Sequence, residues 1–261
     1  MIEIIIFSAV SGIVGMGFGG IISAVLLKQP SEKIVCWLLS FAGGVMISIV
    51  CFGLVPEAFK LEGIAISVSG LVLGIVLIRG LNYLVDKITI TRKESLKIHS
   101  THEELYHESQ LIHNPASILR SGIIILVVIS LHNIPEGLAI GAGGSYNFNL
   151  GALLAIMITL HNIPEGMAVA APLLAGGINK GKVILISSLS GATTLIGGFI
   201  GALIGSISDL AVAISLSAAG GAMLYVVFCE MMPQSIIMTR NRTASMISLL
   251  GIIVGLIVAQ I

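Results

Sequence analysis

The chain is dominated by apolar runs of about twenty residues or more that carry few charges. A helix needs a run of that length to cross the roughly 30 Å hydrocarbon core of a bilayer. Only 10% of the 261 residues are charged, against about 25% in soluble domains, and 56% are hydrophobic. Because the runs do not alternate with a period of two, they favour helices over a membrane β-barrel. The sequence therefore predicts an all-α polytopic membrane protein.

Eight segments along the chain are long and apolar enough to span a membrane. Their approximate limits are 2–27, 34–59, 64–86, 120–143, 150–175, 181–205, 210–238 and 244–261. Short hinges at 176–182 and 206–209 separate the fifth, sixth and seventh segments. A seven-span arrangement, in which two of these segments fuse, is the alternative. We expect residues 1–261 to form a single transmembrane domain with eight helices.

Basic residues are distributed unevenly between the predicted connections. Eleven of the 13 lysines and arginines follow spans one, three, five or seven, whereas Lys60 alone lies on the opposite side. The eleven are Lys28, Lys33, Lys87, Arg92, Lys93, Lys97, Arg120, Lys180, Lys182, Arg240 and Arg242. Since cytoplasmic loops carry the excess of basic residues, we expect both termini to be extracytoplasmic. The predicted location is the cell membrane, meaning an inner or plasma membrane, with the lipid bilayer as the surrounding partner.

The polar segment 87–119 is expected to be a cytoplasmic loop within this domain. It contains four of the six histidines: His99, His102, His107 and His113. Such a tract could collect metal ions weakly. The alternative is a solvated linker that happens to contain histidines, because nothing in the spacing fixes four imidazoles in one geometry.

Charge and cysteine content exclude several other classes of function. Thirteen basic residues balance 13 acidic ones, so the net charge gives no reason to expect a nucleic-acid partner. Cys36, Cys51 and Cys229 lie far apart without CxxC spacing, which argues against a disulfide framework or a zinc ribbon. The chain has no GxxxxGK[ST] motif, so nothing in it couples to nucleotide hydrolysis.

Glycines recur within several predicted spans. Small residues let helix backbones approach closely in lipid. Packing within one bundle is the simpler interpretation, and a homodimer face is the alternative. The glycines concerned are Gly12, Gly15, Gly17, Gly19, Gly20, Gly197, Gly201, Gly205, Gly251 and Gly255.

A seven-residue repeat lies in the middle of the chain. Residues 131–137 and 160–166 both read LHNIPEG, at an offset of 29 residues. The copies fall near the middle of spans four and five, so successive crossings place them on antiparallel helices. Two copies related by a pseudo-twofold axis in the membrane plane are typical of inverted-repeat transporters, whose binding sites lie at the midplane.

Each copy of the repeat brings two kinds of metal ligand to one place. The histidine precedes the glutamate by four residues, so both side chains share one helix face. The proline removes a backbone donor and frees a carbonyl in the preceding turn, while the asparagine adds an amide oxygen. This mixed nitrogen and oxygen set suits Zn²⁺, Fe²⁺ or Mn²⁺, and two glutamates could bridge a pair of metals. The candidate ligands are His132, Asn133, Glu136, His161, Asn162 and Glu165.

Other interpretations of the repeat are a structural hydrogen-bonded knot, a proton relay and a membrane metalloenzyme. An ionised carboxylate at the midplane costs roughly 3 kcal/mol or more, which argues against a purely packing role. A metalloenzyme would use the same cluster to activate water. However, the chain has no HExxH motif and no arrangement typical of a catalytic nucleophile. We therefore expect no enzyme and no catalytic cofactor.

These features together resemble the ZIP (Zrt/Irt-like) divalent-metal transporters, in particular their GufA-like branch. The resemblance covers the whole chain: eight spans, external termini, a histidine-bearing loop and paired HNxPEG motifs. It implies a binuclear midplane centre and uptake into the cytosol, with one helical block sliding against another. The implied cargo is zinc first, with iron, manganese and cadmium as further candidates. Carried over by position, the ligands are the six motif residues given above.

The chain departs from the ZIP pattern in span six. Many relatives carry a glutamate there after a Ser-Gly pair, which helps to hold a second metal. Here Ser190-Gly191 is followed by Ala192, Thr193 and Thr194, with no acid. A second metal would therefore need a hydroxyl or a water to complete its site.

Three further residues match the family's acidic positions in spans two and seven. Glu57 follows Pro56 near the predicted outer end of span two, and Glu230 follows Cys229 toward the cytoplasmic side. The resemblance implies that they are ligands on the path into and out of the site. Alternatively, Glu57 is an interfacial acid and Cys229 a small apolar filler.

Overall fold

The computed structural model describes residues 2–26, 32–89, 115–239 and 242–258, and every regular element within these ranges is helical. The all-α prediction is thereby confirmed. The α-helices are α1 (Ile2–Leu26), α2 (Glu32–Ser48), α3 (Val55–Thr89), α4 (Pro115–Tyr146), α5 (Phe148–Ala175), α6 (Lys180–Ser190), α7 (Thr193–Gly205), α8 (Asp209–Val226), α9 (Met232–Thr239) and α10 (Thr243–Val258).

Six segments within the described residues are long and apolar enough to cross a membrane, and Thr243–Ile257 is a shorter apolar helix. One of the six, Cys36–Leu81, has 46 residues. At 1.5 Å per residue it would reach about 69 Å, roughly twice the thickness of the hydrocarbon core. Gly63 interrupts it with φ 74°, in the left-handed region that glycine tolerates best. Two crossings in this segment would agree with a total of eight, which stays a prediction.

The outer surfaces of the helices carry apolar side chains, as expected for a protein in lipid. Val25 on α1, Val76 on α3 and Ile253 on α10 are each more than half exposed. Polar and charged side chains of the repeat are instead completely buried inside the bundle. Since lipid tails are as apolar as these outer side chains, such a surface is stable only within a bilayer.

Spans two and seven each contain a short π-helical turn, Ile49–Leu54 and Val227–Met231. The amide of Val55 donates to the Val50 carbonyl and that of Met232 to the Val227 carbonyl, which is the i to i−5 pattern. A proline follows each turn after one residue. The spans are therefore continuous helical rods with one widened turn each, a feature often found at functional sites.

Span six is broken in the middle rather than continuous. Helix α6 ends at Ser190 and α7 begins at Thr193, with tight i to i−3 hydrogen bonds across Gly191 and Ala192. Gly12 of α1 packs against this break, where a Cβ on either Gly12 or Gly191 would collide with the other's carbonyl oxygen. The glycine prediction of close helix packing holds at this contact.

The helices form two groups, judged by which pairs share the most extensive contacts. The site group consists of α1, α4, α5, α6 and α7, held together by the α4–α7, α1–α5 and α4–α5 contacts. The flanking group consists of α2, α3, α8, α9 and α10, held together by the α3–α8 and α2–α10 contacts. The two groups meet mainly where α4 packs on α8 and where α2 packs on α5.

The predicted hinges are present, but the limits of the predicted 87–119 loop differ. Residues 176–179 and 206–208 separate helices as expected. Helix α3 runs to Thr89 and α4 begins at Pro115, so both enter the segment predicted as loop. The four histidines at 99, 102, 107 and 113 lie outside the described residues. The orientation of the termini and of this loop stays a prediction.

Candidate metal centre

A tight helical hairpin brings the two copies of the repeat together. Asn147 alone separates α4 from α5, and its side chain accepts hydrogen bonds from the Asn149 and Leu150 amides at 2.9 and 3.4 Å. The returning helix packs so closely that a Cβ on Gly151 would collide with the Gly144 backbone. Two antiparallel helices in contact from this turn onward must bring residues at similar distances from it side by side.

The hairpin places the repeats at mid-depth of their helices. Glu136 and His161 lie 11 and 14 residues from Asn147, which is about 16 and 21 Å along an α-helix. Half the thickness of a hydrocarbon core is about 15 Å. These distances agree with the prediction that the two motifs lie near the middle of two antiparallel spans.

The histidine and glutamate side chains of both copies converge on one point. Glu136 Oε1 lies 2.9 Å from His161 Nε2 and 3.5 Å from His132 Nε2. Glu165 Oε1 lies 3.7 Å from His132 Nε2, and its Oε2 lies 3.9 Å from His161 Nε2. One ligand atom from each of the four residues lies within 4.8 Å of all the others. We refer to His132, Glu136, His161 and Glu165 as the His/Glu cluster.

This spacing is close to that of a tetrahedral zinc site. Ligand atoms about 2.0 Å from a tetrahedral zinc are about 3.3 Å from one another. The four distances between a histidine Nε2 and a glutamate oxygen run from 2.9 to 3.9 Å, so small side-chain adjustments would seat an ion. The chemistry of two imidazoles and two carboxylates also matches the ligands that Zn²⁺ and similar divalent ions take.

The cluster contains polar atoms that are buried without hydrogen bonds. All four residues are at most 1% exposed. Among the described residues no hydrogen-bond partner is present for His132 Nε2, Glu136 Oε2 or either carboxylate oxygen of Glu165. Buried polar atoms without partners cost about 1–3 kcal/mol each, and more when charged. A bound cation would satisfy these atoms together, which makes the cluster the centre of the candidate site.

Both motif asparagines are held in the same way, through a hydrogen bond donated by the side-chain amide nitrogen. Asn133 Nδ2 donates to the Ser190 carbonyl at 3.1 Å, and Asn162 Nδ2 donates to the Ser11 carbonyl at 3.4 Å. Within the described part of the chain, neither Oδ1 atom has a hydrogen-bond partner, although both residues are completely buried. Each amide oxygen is thus left available as a ligand, while the amide nitrogen is tied to a neighbouring helix.

Thr193 braces the break in span six against α4. Its hydroxyl lies 2.6 Å from the Ser130 carbonyl and 2.8 Å from the Ser190 carbonyl. Ser190 is also the residue whose carbonyl accepts from Asn133, and Ser130 precedes His132 by two positions. Thr193 therefore links α4, just before the first motif, to the C-terminal end of α6, whose Ser190 carbonyl orients the Asn133 side chain. From the sequence, Thr193 stands where many relatives have an acid, and its hydroxyl was expected at most to complete a second metal site; the brace itself was not predicted.

Replacing Thr193 by valine tests this brace, because valine keeps the shape and removes the hydroxyl. We expect the affinity of purified protein for zinc to weaken roughly fivefold, the equivalent of one hydrogen bond of about 1 kcal/mol. Isothermal titration with zinc measures it. Thr193→Ser keeps the hydroxyl and should restore the affinity. Equal affinities for all three proteins would show that the brace does not position the site.

The remaining predicted residues lie outside the His/Glu cluster. Glu57 is half-buried and pairs with Lys60 at 2.9 Å. Cys229 is exposed and Glu230 half-buried, at the π-helical turn of span seven. Their role along the metal path stays a prediction. Among the described residues, the His/Glu cluster is the only group of three or more His, Cys, Asp or Glu side chains close enough together to hold a metal ion.

Comparison with known proteins agrees with this arrangement. Residues 85–261 match the family model described as ZIP zinc transporter. The chain is 34% identical over 220 residues to the zinc transporter ZupT of Escherichia fergusonii, covering 83% of this chain and 80% of that protein. It is 34% identical to the ZupT of Shigella flexneri over 221 residues, and 33% identical to that of Salmonella newport over 220, with the same coverage.

The matched family region contains both copies of the repeat and hence the whole His/Glu cluster. The similarity to the ZupT proteins extends over most of both chains, so it is not confined to one motif. The resemblance to the ZIP family, inferred from the paired LHNIPEG motifs, is thereby confirmed, and the GufA-like branch stays a prediction. This chain belongs to the ZIP family of zinc transporters.

Proposed function

We propose that the protein is a secondary transporter that moves divalent transition-metal cations across the membrane into the cytosol. Zinc is the first candidate cargo, and Fe²⁺, Mn²⁺ and Cd²⁺ are the others. The observation that carries the proposal is the buried His/Glu cluster between α4 and α5. ZIP proteins are transporters, not enzymes, so the metalloenzyme alternative is not retained.

Charge balance supports a divalent cargo. The carboxylates of Glu136 and Glu165 carry two negative charges, and both histidines bind metals as neutral imidazoles. A divalent cation among them gives a site with no net charge. Burying a net charge in a medium of low dielectric constant is expensive, so the cluster favours a doubly charged ion over a singly charged one.

We assign the primary ligands to His132, Glu136, His161 and Glu165. The two asparagine Oδ1 atoms are further ligands, because each amide nitrogen is already tied to the Ser190 or Ser11 carbonyl. With Thr193 and Thr194 in place of an acid, a second metal would have fewer charged ligands. We therefore propose one firmly held metal per site.

Transport requires the site to open to each side of the membrane in turn. Both motifs lie on the site group, so this group could carry a bound metal as one body. We propose that it slides against the flanking group, along the contacts of α4 with α8 and α2 with α5. Glu57 on α3, and Cys229 and Glu230 in the π-helical turn of span seven, belong to segments that pack within the flanking group. We propose that Glu57 passes the metal toward the site from outside and that Cys229 and Glu230 pass it on toward the cytosol.

The direction of flux follows from the proposed orientation. With external termini and a cytoplasmic loop at 87–119, an interior-negative potential draws a divalent cation inward by about 4.6 kcal/mol per 100 mV, twice the value for a single charge. Transport by this route needs no nucleotide.

Uptake by purified protein in liposomes tests the function. We expect saturable zinc accumulation above that of protein-free liposomes, increased by an interior-negative potassium diffusion potential. Adding Cd²⁺, Fe²⁺ or Mn²⁺ in excess should reduce zinc uptake in proportion to each ion's affinity. Zinc accumulation equal to that of protein-free liposomes, from protein that is folded and inserted, would contradict the proposal.

A further inference from the structure

An apolar cleft of about 280 Å³ lies between the site group and the flanking group. Helices α4 and α7 form one wall, and α3 and α8 form the other. All of its lining residues are apolar, and several are small, such as Gly74, Gly197 and Ala218. The cleft is separate from the His/Glu cluster, but Pro135 of the first motif forms part of its wall.

The cleft is open on its outer side. Leu77 on α3 is 60% exposed and Ile200 on α7 is 40% exposed, and both line it. Deeper lining residues are almost completely buried, with Ile78 at 4% and Ala219 at 1% exposure. The outward faces beside the mouth carry exposed apolar side chains such as Val76 and Phe199. The cleft is therefore an inward continuation of the lipid-facing surface.

We propose that this cleft binds one acyl chain of a membrane lipid. Water is a poor occupant, since a stable buried water needs two to four polar partners and the lining side chains supply none. An empty cleft would forfeit the dispersion contacts of its walls. A lipid chain is flexible, apolar and already present at the mouth, so it can enter without crossing a polar barrier.

The position of the chain gives the bilayer direct contact with the interface between the two helix groups. One side of the bound chain lies against Leu131, Ile134 and Pro135 on α4, and the other against α3 and α8. If the site group slides as proposed above, the chain lies between moving surfaces. This consequence rests on the proposed function, whereas the binding of the chain does not.

Photo-crosslinking tests the binding directly. The protein is placed, without metal, in vesicles of phosphatidylcholine that carries a diazirine in the middle of one acyl chain. After illumination, peptide mass spectrometry locates the adducts. We expect adducts on the deep residues Ile78, Ala219 and Ala222 as well as on the exposed outer faces. Adducts confined to the outer faces would overturn the proposal.

Two variants and a matched control complete the test. Ala219→Leu at the floor and Ile204→Phe at the wall fill the cleft in different places, so one can replace the other if either misfolds. We expect both to lose adducts on the remaining deep residues while keeping those on the outer faces. Ala65→Leu, the same kind of change on an exposed face of α3, should alter neither set. Deep adducts that persist in both folded cleft variants would contradict binding in the cleft.

Because no metal or transport is involved, the result is independent of the proposed function. Deep adducts without zinc uptake would support the lipid site and contradict the proposed transport function. Zinc uptake without deep adducts would contradict the lipid site and support the transport function.

Discussion

Glu136→Ala and His161→Ala are each expected to reduce zinc uptake into liposomes to the level of protein-free liposomes. Glu136 Oε1 is the cluster's carboxylate oxygen closest to each of the two imidazoles, at 2.9 and 3.5 Å, so its loss removes a ligand and half of the cluster's negative charge. Loss of His161 removes the imidazole nearest to that carboxylate and leaves a gap in the tetrahedron. With one ligand missing, a buried divalent ion would keep an unbalanced charge or an open coordination position.

The matched control is Glu3→Ala, the same substitution at an exposed glutamate of α1. It should keep normal uptake, since Glu3 lies outside the cluster. Each variant is first shown to be inserted and monodisperse, because a buried charged group can also affect folding. If folded Glu136→Ala takes up zinc as fast as the unmodified protein, Glu136 is not a ligand of the transported metal.

A cross-link between the two helix groups is expected to stop uptake. A Cβ on Gly53, in the flanking group, would lie 4.0 Å from Leu154 Cδ2 on α5 of the site group. Cysteines at these two positions are within reach of a short bis-methanethiosulfonate reagent, which joins two thiols through reducible disulfide bonds. The background has Cys36, Cys51 and Cys229 replaced by alanine, and its uptake before cross-linking is the reference. The cross-linked protein should lose this uptake and regain it when the disulfides are reduced. Sliding cannot proceed while the groups are tied together.

A pair within the flanking group provides the control for this experiment. A Cβ on Gly43 would lie 3.5 Å from Val227 Cγ1, and both residues belong to that group. Cross-linking Gly43→Cys to Val227→Cys should leave uptake nearly unchanged, because it ties helices that move together. Full uptake through the cross-linked Gly53 and Leu154 pair would contradict sliding between the two groups.

The main features of the site could be predicted from the sequence because they depend on periodicity and chain reversal alone. The histidine precedes the glutamate by four residues in each motif, which places both side chains on one helix face. Consecutive spans run antiparallel, so the two identical motifs lie opposite each other. A single residue, Asn147, is enough to reverse the chain. The convergence of the four cluster residues follows from these two facts.

The break in span six could not be predicted from composition. After Lys182, residues 183–205 carry no charge and are mostly apolar or small, so hydropathy indicates one continuous helix. The interruption at Gly191 and Ala192 depends on contact with Gly12, which is far away in the chain. The Thr193 brace follows from that interruption, so the residue that links it to the first motif was missed as well.

The π-helical turns were missed for a related reason. A widened turn changes the hydrogen-bond partner of a few amides but not the length or the polarity of a span. The signal in the sequence is Pro56 and Pro233, each two residues beyond the end of its turn. A proline removes a backbone donor, and this favours a rearranged turn before it. Proline alone does not distinguish a π turn from a kink.

X-ray absorption at the zinc edge, on purified protein with one equivalent of zinc, tests the central claim most directly. The His/Glu cluster predicts a first shell of nitrogen and oxygen near 2.0 Å, with the outer-shell signals of two imidazoles and no sulfur near 2.3 Å. His132→Ala and His161→Ala should each remove one imidazole signal. A sulfur shell, or a spectrum that neither substitution changes, would place the bound zinc elsewhere and contradict the assignment.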